Sequence, residues 1–172
     1  MKTKKCAILQ SNYIPWKGYF DLINSVDEFI FYDCVQYTQN DWRNRNKVKT
    51  ATGAQWITIP VSRPSLASTI VDATTANQTW RAKHWSSISQ NYRGSKYFDD
   101  YADTFKTLYE GTENSLSEIN QLFIRCICDV LGIETEIVES SKYELSGDRN
   151  QRVSNQETLP GSVQEILPKS RD

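Results

Sequence analysis

The first 33 residues follow the order strand, helix, strand, and this order limits the fold more than any other feature of the chain. The apolar run CAIL at 6–9 predicts a buried strand, and EFIFYD at 28–33 predicts a second strand that is rich in aromatic residues. Between them, Phe20, Ile23 and Val26 recur at helical spacing. A helix that joins two strands implies a parallel pair with a right-handed crossover, so the sequence predicts an N-terminal βαβ unit.

Five further segments extend this unit to a complete fold. QWITIPV at 55–61 predicts a third strand, which could be antiparallel because no clear helix fills the gap before it, and ETEIVES at 134–140 predicts a fourth. Helical periodicity and capping signals predict three more helices, at 79–93, at 99–110 and from the capping box of Ser115 and Glu118 to Gly132. The predicted fold class is α/β, with a small, mainly parallel sheet and a helical second half.

Length and composition predict one folded domain and a tail. The 172 residues are enough for a hydrophobic core, and an aromatic fraction of 12% argues against disorder. From Tyr143 onward the chain is polar and shows little periodicity. We therefore predict one α/β domain over residues 1–145 and a polar, irregular C-terminal tail over 146–172.

Composition also argues against several classes of protein. A net charge of −1 gives no general attraction to nucleic acid, so no stable nucleic-acid partner is expected. No apolar run approaches the roughly 18–20 residues that span a bilayer, and no export signal is visible, so we expect no membrane insertion. One histidine and four unpaired cysteines predict no metal site, with reduced thiols in the cytoplasm. The sequence does not identify a cofactor.

Polar residues follow the predicted strands, above all in the stretch QYTQNDWRNRNK at 36–47. In open α/β sheets, ligands bind beyond the carboxyl ends of the parallel strands. We therefore predict a polar pocket to which three loops contribute. Its residues are Gln10, Asn12 and Tyr13 from the first loop, Asp33, Gln36, Tyr37, Trp42, Arg43, Asn44 and Arg45 from the second, and Asp148 and Arg149 from the last.

These residue types suit a nucleotide or a nucleotide-linked sugar. Arginine pairs bind phosphate in bidentate fashion, asparagine and glutamine suit sugar hydroxyls, and aromatic faces stack on bases or sugars. Ordinary structural roles stay open for the same residues. The two arginines could be solvated surface charges, Asp33 could cap a turn, Trp16 and Tyr19 could lie in the core, and His84 could be structural.

The quoted segments QSNYIPWKGYFDLI, DEFIFYDCVQYTQNDWRNRNKVKT and QWITIPV, with GDRN later, resemble the WbqC-like protein family. The residues that carry the resemblance are Gln10, Tyr13, Pro15, Gly18, Tyr19, Asp33, Gln36, Tyr37, Trp42, Asn44, Arg45, Asn46 and Lys49. Ser11 replaces a common proline, and the polar tail replaces a helix, a glycine-rich loop and a strand. The C-terminal part is therefore expected to be truncated or divergent. The resemblance implies bacterial surface polysaccharide synthesis, including that of O-antigen.

Three functional hypotheses follow. The first is an enzyme that transfers an N-acyl or aminoacyl group on a nucleotide-linked amino sugar. In this hypothesis Asp33 is the candidate general base or orients the acceptor amine, Arg43 and Arg45 hold the diphosphate, and Gln10, Asn12 and Gln36 contact the sugar. The second is an ATP-using nucleotidyl transferase. The first strand followed by YIPWKGYFDLI resembles the strand–HxGH–helix segment with which adenylyl-transferring folds begin, but it lacks the histidines.

The third hypothesis is a non-catalytic binding or scaffold protein of polysaccharide assembly. A homo-oligomer is possible under all three hypotheses. The expected partner is in each enzymatic case a nucleotide-linked sugar or another phosphorylated small molecule. A single-strand nucleic-acid binder is disfavoured, because the sequence shows no broad basic face.

Overall fold

A computed structural model of the chain describes residues 4–62 and 68–143, together with the backbone of 164–165. Regular elements account for most of these residues. In chain order they are β1 (Lys5–Leu9), α1 (Lys17–Asn24), β2 (Glu28–Phe31), β3 (Arg45–Thr50), β4 (Gly53–Thr58), α2 (Thr79–Tyr92), α3 (Phe98–Tyr109), α4 (Leu116–Leu131), β5 (Glu136–Glu139) and β6 (Gln164–Glu165).

The chain divides into two compact units. Unit 1 comprises Met1–Ser11, Trp16–Cys34 and Arg125–Asp172, and unit 2 comprises Asn12–Pro15 and Val35–Ile124. The predicted boundary between an α/β domain and a tail, at residue 145, falls outside the described residues and stays a prediction.

Unit 1 contains a parallel sheet with the strand order β5-β2-β1-β6. The register pairs Cys6 with Glu28 and Leu9 with Phe31, so the strands on either side of α1 run in the same direction. All four residues of β2 are buried, which is typical of an inner strand in a parallel sheet. The predicted βαβ unit and the predicted α/β fold class are therefore confirmed.

Helix α1 packs its apolar side into unit 1. Tyr19 is buried, and its ring centroid lies 5.4 Å from that of Phe29 in an edge-on contact. Trp16 does not lie in the core, although the sequence allowed a core position for it; its side chain is 70% exposed. Trp16 is the N-cap of α1 and has an extended backbone, which takes its indole out of phase with the buried side of the helix. The indole lies over Gly18, where an added Cβ would come within 2.0 Å of the ring.

Unit 2 contains an antiparallel ribbon of β3 and β4. The predicted third strand corresponds to β4. It pairs with β3 in antiparallel orientation, as the sequence allowed. Strand β3 was not predicted, since its sequence RNKVKT buries only Val48 and shows no continuous apolar run. Val48 and Ile57 point to the same side of the ribbon and join the core of unit 2.

An aromatic core lies behind this ribbon in unit 2. Tyr13 is fully buried, with its ring centroid 6.1 Å from Trp80 and 5.4 Å from Phe123, both in edge-on contacts. Helices α2 and α3 also pack against each other, where the Trp85 and Phe98 rings stack 6.2 Å apart. Both helices lie where the 3.6-residue periodicity predicted them.

Helix α4 begins and ends at the predicted signals. The Ser115 hydroxyl accepts a hydrogen bond from the Glu118 backbone N–H at 3.3 Å, as a capping residue does. Gly132 follows the helix with a φ of +67°, the left-handed conformation that ends many helices. Among the helices of residues 4–62 and 68–143, none combines the length and the apolar character needed to cross a membrane.

The left-handed conformation of Gly132 predicts a cost for any side chain at this position. We expect Gly132→Ala to lower the free energy of unfolding by about 1 kcal/mol and the Tm by roughly 2–4 °C. Gly94→Ala is the matched control, because an added Cβ there meets no atom within 4 Å and the backbone is not left-handed. Thermal unfolding followed by circular dichroism measures both variants. An equal loss of Tm in the two variants would contradict the backbone explanation.

Candidate functional site

The strand order of unit 1 defines where a ligand would bind in a sheet of this kind. In the order β5-β2-β1-β6, strands β2 and β5 lie on one side of β1 and strand β6 lies on the other. In open parallel α/β sheets, ligands bind beyond the carboxyl ends of the strands, where the strand order reverses. The residues that follow β1 and β2 lie at this edge.

Asp33 is the central polar residue of this edge. It follows β2, is only 3% exposed, and its Oδ1 accepts the Ser11 backbone N–H at 2.8 Å. Ser11 is itself fully buried. The Gln10 carbonyl accepts the Tyr19 hydroxyl at 2.9 Å, which ties the end of β1 to α1. The structure therefore brings the predicted residues Gln10 and Asp33 to the same edge of the sheet.

Two serines at this edge were not among the predicted site residues. Ser11 positions Asp33, and the Ser140 hydroxyl donates to Cys34 Sγ at 3.8 Å. Ser140 follows β5 in the structure and is the last residue of the predicted strand ETEIVES, so a polar residue at a strand end is the sequence signal that could have identified it. The edge thus combines a buried carboxyl group with a thiol and two hydroxyl groups.

A strained turn in unit 2 depends on one asparagine of the RNRN motif. Ile14 has a φ of +48°, which is rare for a β-branched residue and is disfavoured further by the proline that follows. The Asn46 Nδ2 donates to the Tyr13 carbonyl at 3.1 Å and to the Ile14 carbonyl, so a single side-chain amide holds both carbonyls of the turn. Such strain costs about 1–3 kcal/mol and is maintained only where surrounding contacts require it.

Arg43 is held on the same turn. Its Nη1 donates to the Asn12 Oδ1 at 2.8 Å and lies 3.5 Å from the Asp41 carboxylate. Its backbone carbonyl accepts the Asn120 Nδ2 at 2.8 Å. The structure therefore brings the predicted residues Asn12 and Arg43 together and fixes the direction of the Arg43 side chain.

Three other predicted residues of the second loop lie apart from this contact. Asn44 is 5% exposed, and its Nδ2 donates to the Ile59 carbonyl at 2.9 Å. Tyr37 is also buried, and burial together with the Asp41 charge raises the pKa of its hydroxyl. Gln36 is exposed and forms an isolated bridge with Thr69. Asn44 and Tyr37 therefore support the loop from within.

Arg45 and Trp42 are on the outer side of the ribbon. The Arg45 guanidinium carbon lies 4.4 Å from the centre of the Trp56 ring, and the Trp42 ring centroid is 5.4 Å from that of Trp56. Trp42 is 50% exposed. Trp56 was not predicted as a site residue, since its strand was assigned to the core on its apolar pattern.

Tyr13 belongs to a buried hydrogen-bonded triad. Its hydroxyl lies 2.7 Å from the Tyr109 hydroxyl and 3.0 Å from His84 Nδ1. Burial lowers the pKa of His84 to about 4, against a smaller opposing effect of a hydrogen bond to the Thr58 backbone. Because a backbone carbonyl can only accept, the ring donates to Thr58 and Nδ1 accepts from Tyr13. The triad is therefore uncharged near neutral pH, and Tyr13 has an interior position.

The last predicted pair, Asp148 and Arg149, lies outside the described residues. Within residues 4–62 and 68–143 there is also no group of three or more His, Cys, Asp or Glu side chains that could hold a metal ion.

Comparisons with known proteins agree with an α/β protein of this motif pattern. The WbqC-like protein family matches residues 10–161, and the chain belongs to that family. It is similar to the uncharacterized protein Rv1507c of Mycobacterium tuberculosis, with 44% identity over 158 residues, 88% of this chain and 67% of that protein. No solved structure matches the chain.

The buried position of His84 predicts that the free energy of unfolding decreases as the pH is lowered. Above about pH 7.5 the ring is neutral in both states. At lower pH the unfolded chain takes up a proton with a pKa near 6.5, whereas the folded chain does so only with a pKa near 4. Between about pH 7.5 and about pH 5.2 the free energy of unfolding should fall by about 2 kcal/mol. Urea unfolding at a series of pH values measures this change.

His84→Gln is the matched control, because its amide keeps hydrogen-bonding capacity but does not titrate. We expect this variant to be less stable than the native chain at pH 7.5 and to lack the fall between pH 7.5 and pH 5.2. The chain has one histidine, so no other imidazole contributes to the difference. Parallel pH profiles for the native chain and the variant would contradict a depressed pKa at His84.

Proposed function

We propose that the chain transfers an acyl or aminoacyl group to the amine of a nucleotide-linked amino sugar, in the cytoplasmic synthesis of a bacterial surface polysaccharide such as O-antigen. The observation that carries this proposal is the buried Asp33 carboxyl group at the ligand-binding edge of the sheet, held by the Ser11 N–H. Membership of the WbqC-like family supports the polysaccharide context.

Asp33 serves as the general base of this reaction. The sugar amine attacks the acyl carbonyl carbon, so a carbon–nitrogen bond forms and the bond from that carbon to the sulfur or oxygen of the donor breaks. The amine proton passes to Asp33, which then returns it to the leaving group. The Ser11 N–H, which donates to Oδ1 at 2.8 Å, holds the carboxyl group in a fixed orientation for this proton transfer.

Five other predicted residues are assigned to substrate binding. Gln10 and Gln36 offer amide groups to sugar hydroxyls, and Arg45 offers its charge to the diphosphate. Asn12 and Arg43 act as a pair, because the contact between them at 2.8 Å orients both side chains. Asn44 and Tyr37 support this loop from its buried side.

The Asp33→Asn substitution tests the proposed base directly. Asparagine keeps an oxygen that can accept the Ser11 N–H but cannot take up the amine proton. We expect turnover to fall by about 10²–10⁴-fold while the Tm stays within a few degrees of the native value. The assay incubates the purified chain with nucleotide-linked amino sugars and acyl or aminoacyl donors, and mass spectrometry detects the acylated sugar.

Asp27→Asn is the matched control for this experiment. Asp27 Oδ2 accepts the Lys5 backbone N–H at 2.8 Å, the same kind of contact, but at the amino end of the sheet. Asp27→Asn should therefore retain native turnover. Native turnover in Asp33→Asn would remove Asp33 from the mechanism, and the absence of any acylated product from the native chain would contradict the proposed reaction.

A further inference from the structure

We propose that the outer face of the β3–β4 ribbon binds the nucleoside diphosphate part of the substrate. We call this surface the basic ribbon face, and it consists of Trp42, Arg45, Lys47, Lys49 and Trp56. The proposal rests on the proposed function, since it identifies which residues recognise the nucleotide. Three of these residues, Lys47, Lys49 and Trp56, were not among the predicted site residues.

The alternation of the two strands creates this face. Val48 and Ile57 point inward to the core of unit 2, so residues at odd positions of β3 point outward. Lys47 pairs directly with Trp56 across the ribbon, and both are exposed. The burial of two apolar side chains on one side therefore places cations and an indole together on the other side.

The charge on this face is not neutralised by the ribbon itself. From Trp42 to Thr58 the sequence contains four Arg or Lys residues and no Asp or Glu, whereas the net charge of the whole chain is −1. Within residues 4–62 and 68–143, no carboxylate lies at salt-bridge distance from Arg45, Lys47 or Lys49. An anionic ligand would supply the missing counter-charge.

Arg45 differs in this respect from its neighbour Arg43. Arg43 has partners in Asn12 and Asp41, whereas the contact of Arg45 in the described part of the chain is the face of Trp56 at 4.4 Å. The Nε of Arg45 is buried and has no hydrogen-bond partner among the described residues. The indole therefore orients the guanidinium without neutralising its positive charge, which leaves the group suited to a phosphate.

The two indoles provide a surface for a base. Trp56 lies under Arg45 and under Lys47, whose Nζ is 4.7 Å from the ring centre, so cations occupy part of its surface. Trp42 is 50% exposed and lies 5.4 Å from Trp56, which makes it the indole with more accessible ring surface. Bases stack on such rings whatever their identity, because each base has an aromatic face.

The size of the face favours one nucleotide over a polymer. Six residues of β3 span roughly 20 Å, and single-strand nucleic-acid sites commonly extend over about 4–16 nucleotides per domain. A net charge of −1 also disfavours a long polyanion. A nucleoside diphosphate combines one base with two phosphates and matches the two indoles and three cations of the face.

Titration of the full chain with nucleoside diphosphates tests this assignment. The probes are ADP, GDP, CDP and UDP, with inorganic pyrophosphate and a single-stranded octanucleotide as comparisons. Binding of each probe is measured by tryptophan fluorescence and by calorimetry. At least one diphosphate should bind and quench fluorescence, and pyrophosphate should bind at least about ten-fold more weakly. Trp42→Ala should weaken binding by about 5- to 150-fold, the equivalent of one stacked base.

Matched substitutions separate this face from the rest of the surface. Arg45→Ala should weaken diphosphate binding, and Arg45→Lys should restore part of it because the charge returns. Trp16→Ala, which removes an even more exposed indole, and Arg93→Ala, which removes an exposed guanidinium, should leave binding unchanged. Trp42→Phe keeps an aromatic ring that can stack on a base. Comparing it with Trp42→Ala separates a loss of stacking from a general loss of folding.

Several results would overturn the proposal. These are no binding of any diphosphate at millimolar concentration, equal affinity in the native chain and in Trp42→Ala, and an octanucleotide that binds more tightly than every diphosphate. Its failure is distinguishable from failure of the proposed function. Acyl transfer that proceeds normally in Trp42→Ala and Arg45→Ala would reject the face alone, whereas diphosphate binding without any acyl transfer would reject the reaction alone.

Discussion

The hydrogen bonds from the Asn46 amide to the Tyr13 and Ile14 carbonyls are the contacts on which unit 2 depends most. They hold Ile14 in a left-handed conformation that a β-branched residue before proline would otherwise avoid. With the turn in this conformation, the Tyr13 ring enters the aromatic core and its N–H reaches the Trp42 carbonyl at 3.0 Å. The same turn places Asn12 within reach of Arg43. A short polar motif thus determines both packing and the presentation of polar groups.

Neighbouring residues of that motif have different roles because β3 begins within the motif, at Arg45. Asn44 is buried and bonds to a backbone carbonyl, whereas Arg45 lies on the face of Trp56. Arg43 is committed to Asn12 and Asp41, but the described residues offer Arg45 no carboxylate. Two arginines that are equivalent in sequence terms are therefore different in chemical terms. The difference arises from the strand that begins at Arg45, since it sets which side chains face the core.

Prediction from sequence was accurate where apolar periodicity was continuous. The βαβ unit, the helices of the second half and the capping residues Ser115 and Gly132 all carry local signals that survive folding. Prediction failed at β3, whose single buried residue, Val48, gives no periodic pattern. It also failed at Trp16, where the extended backbone of a helix cap, and not hydrophobicity, decides exposure. For the candidate site, the sequence predicted Asp33 and the arginine cluster, which stay predictions, and it did not single out Ser11, Ser140 or Trp56.

The sequence by itself determined the fold class, because a helix between two buried strands admits essentially one parallel connection. It also determined which residue types gather after the strands. Only the tertiary structure decided which of these residues are available to a ligand. The side-chain amides of Asn44 and Asn46 donate to backbone carbonyls. Tyr13 belongs to a buried, neutral triad. Trp56 points outward because Ile57, the next residue of the strand, is buried. These outcomes depend on contacts between residues distant in the chain, which no local pattern encodes.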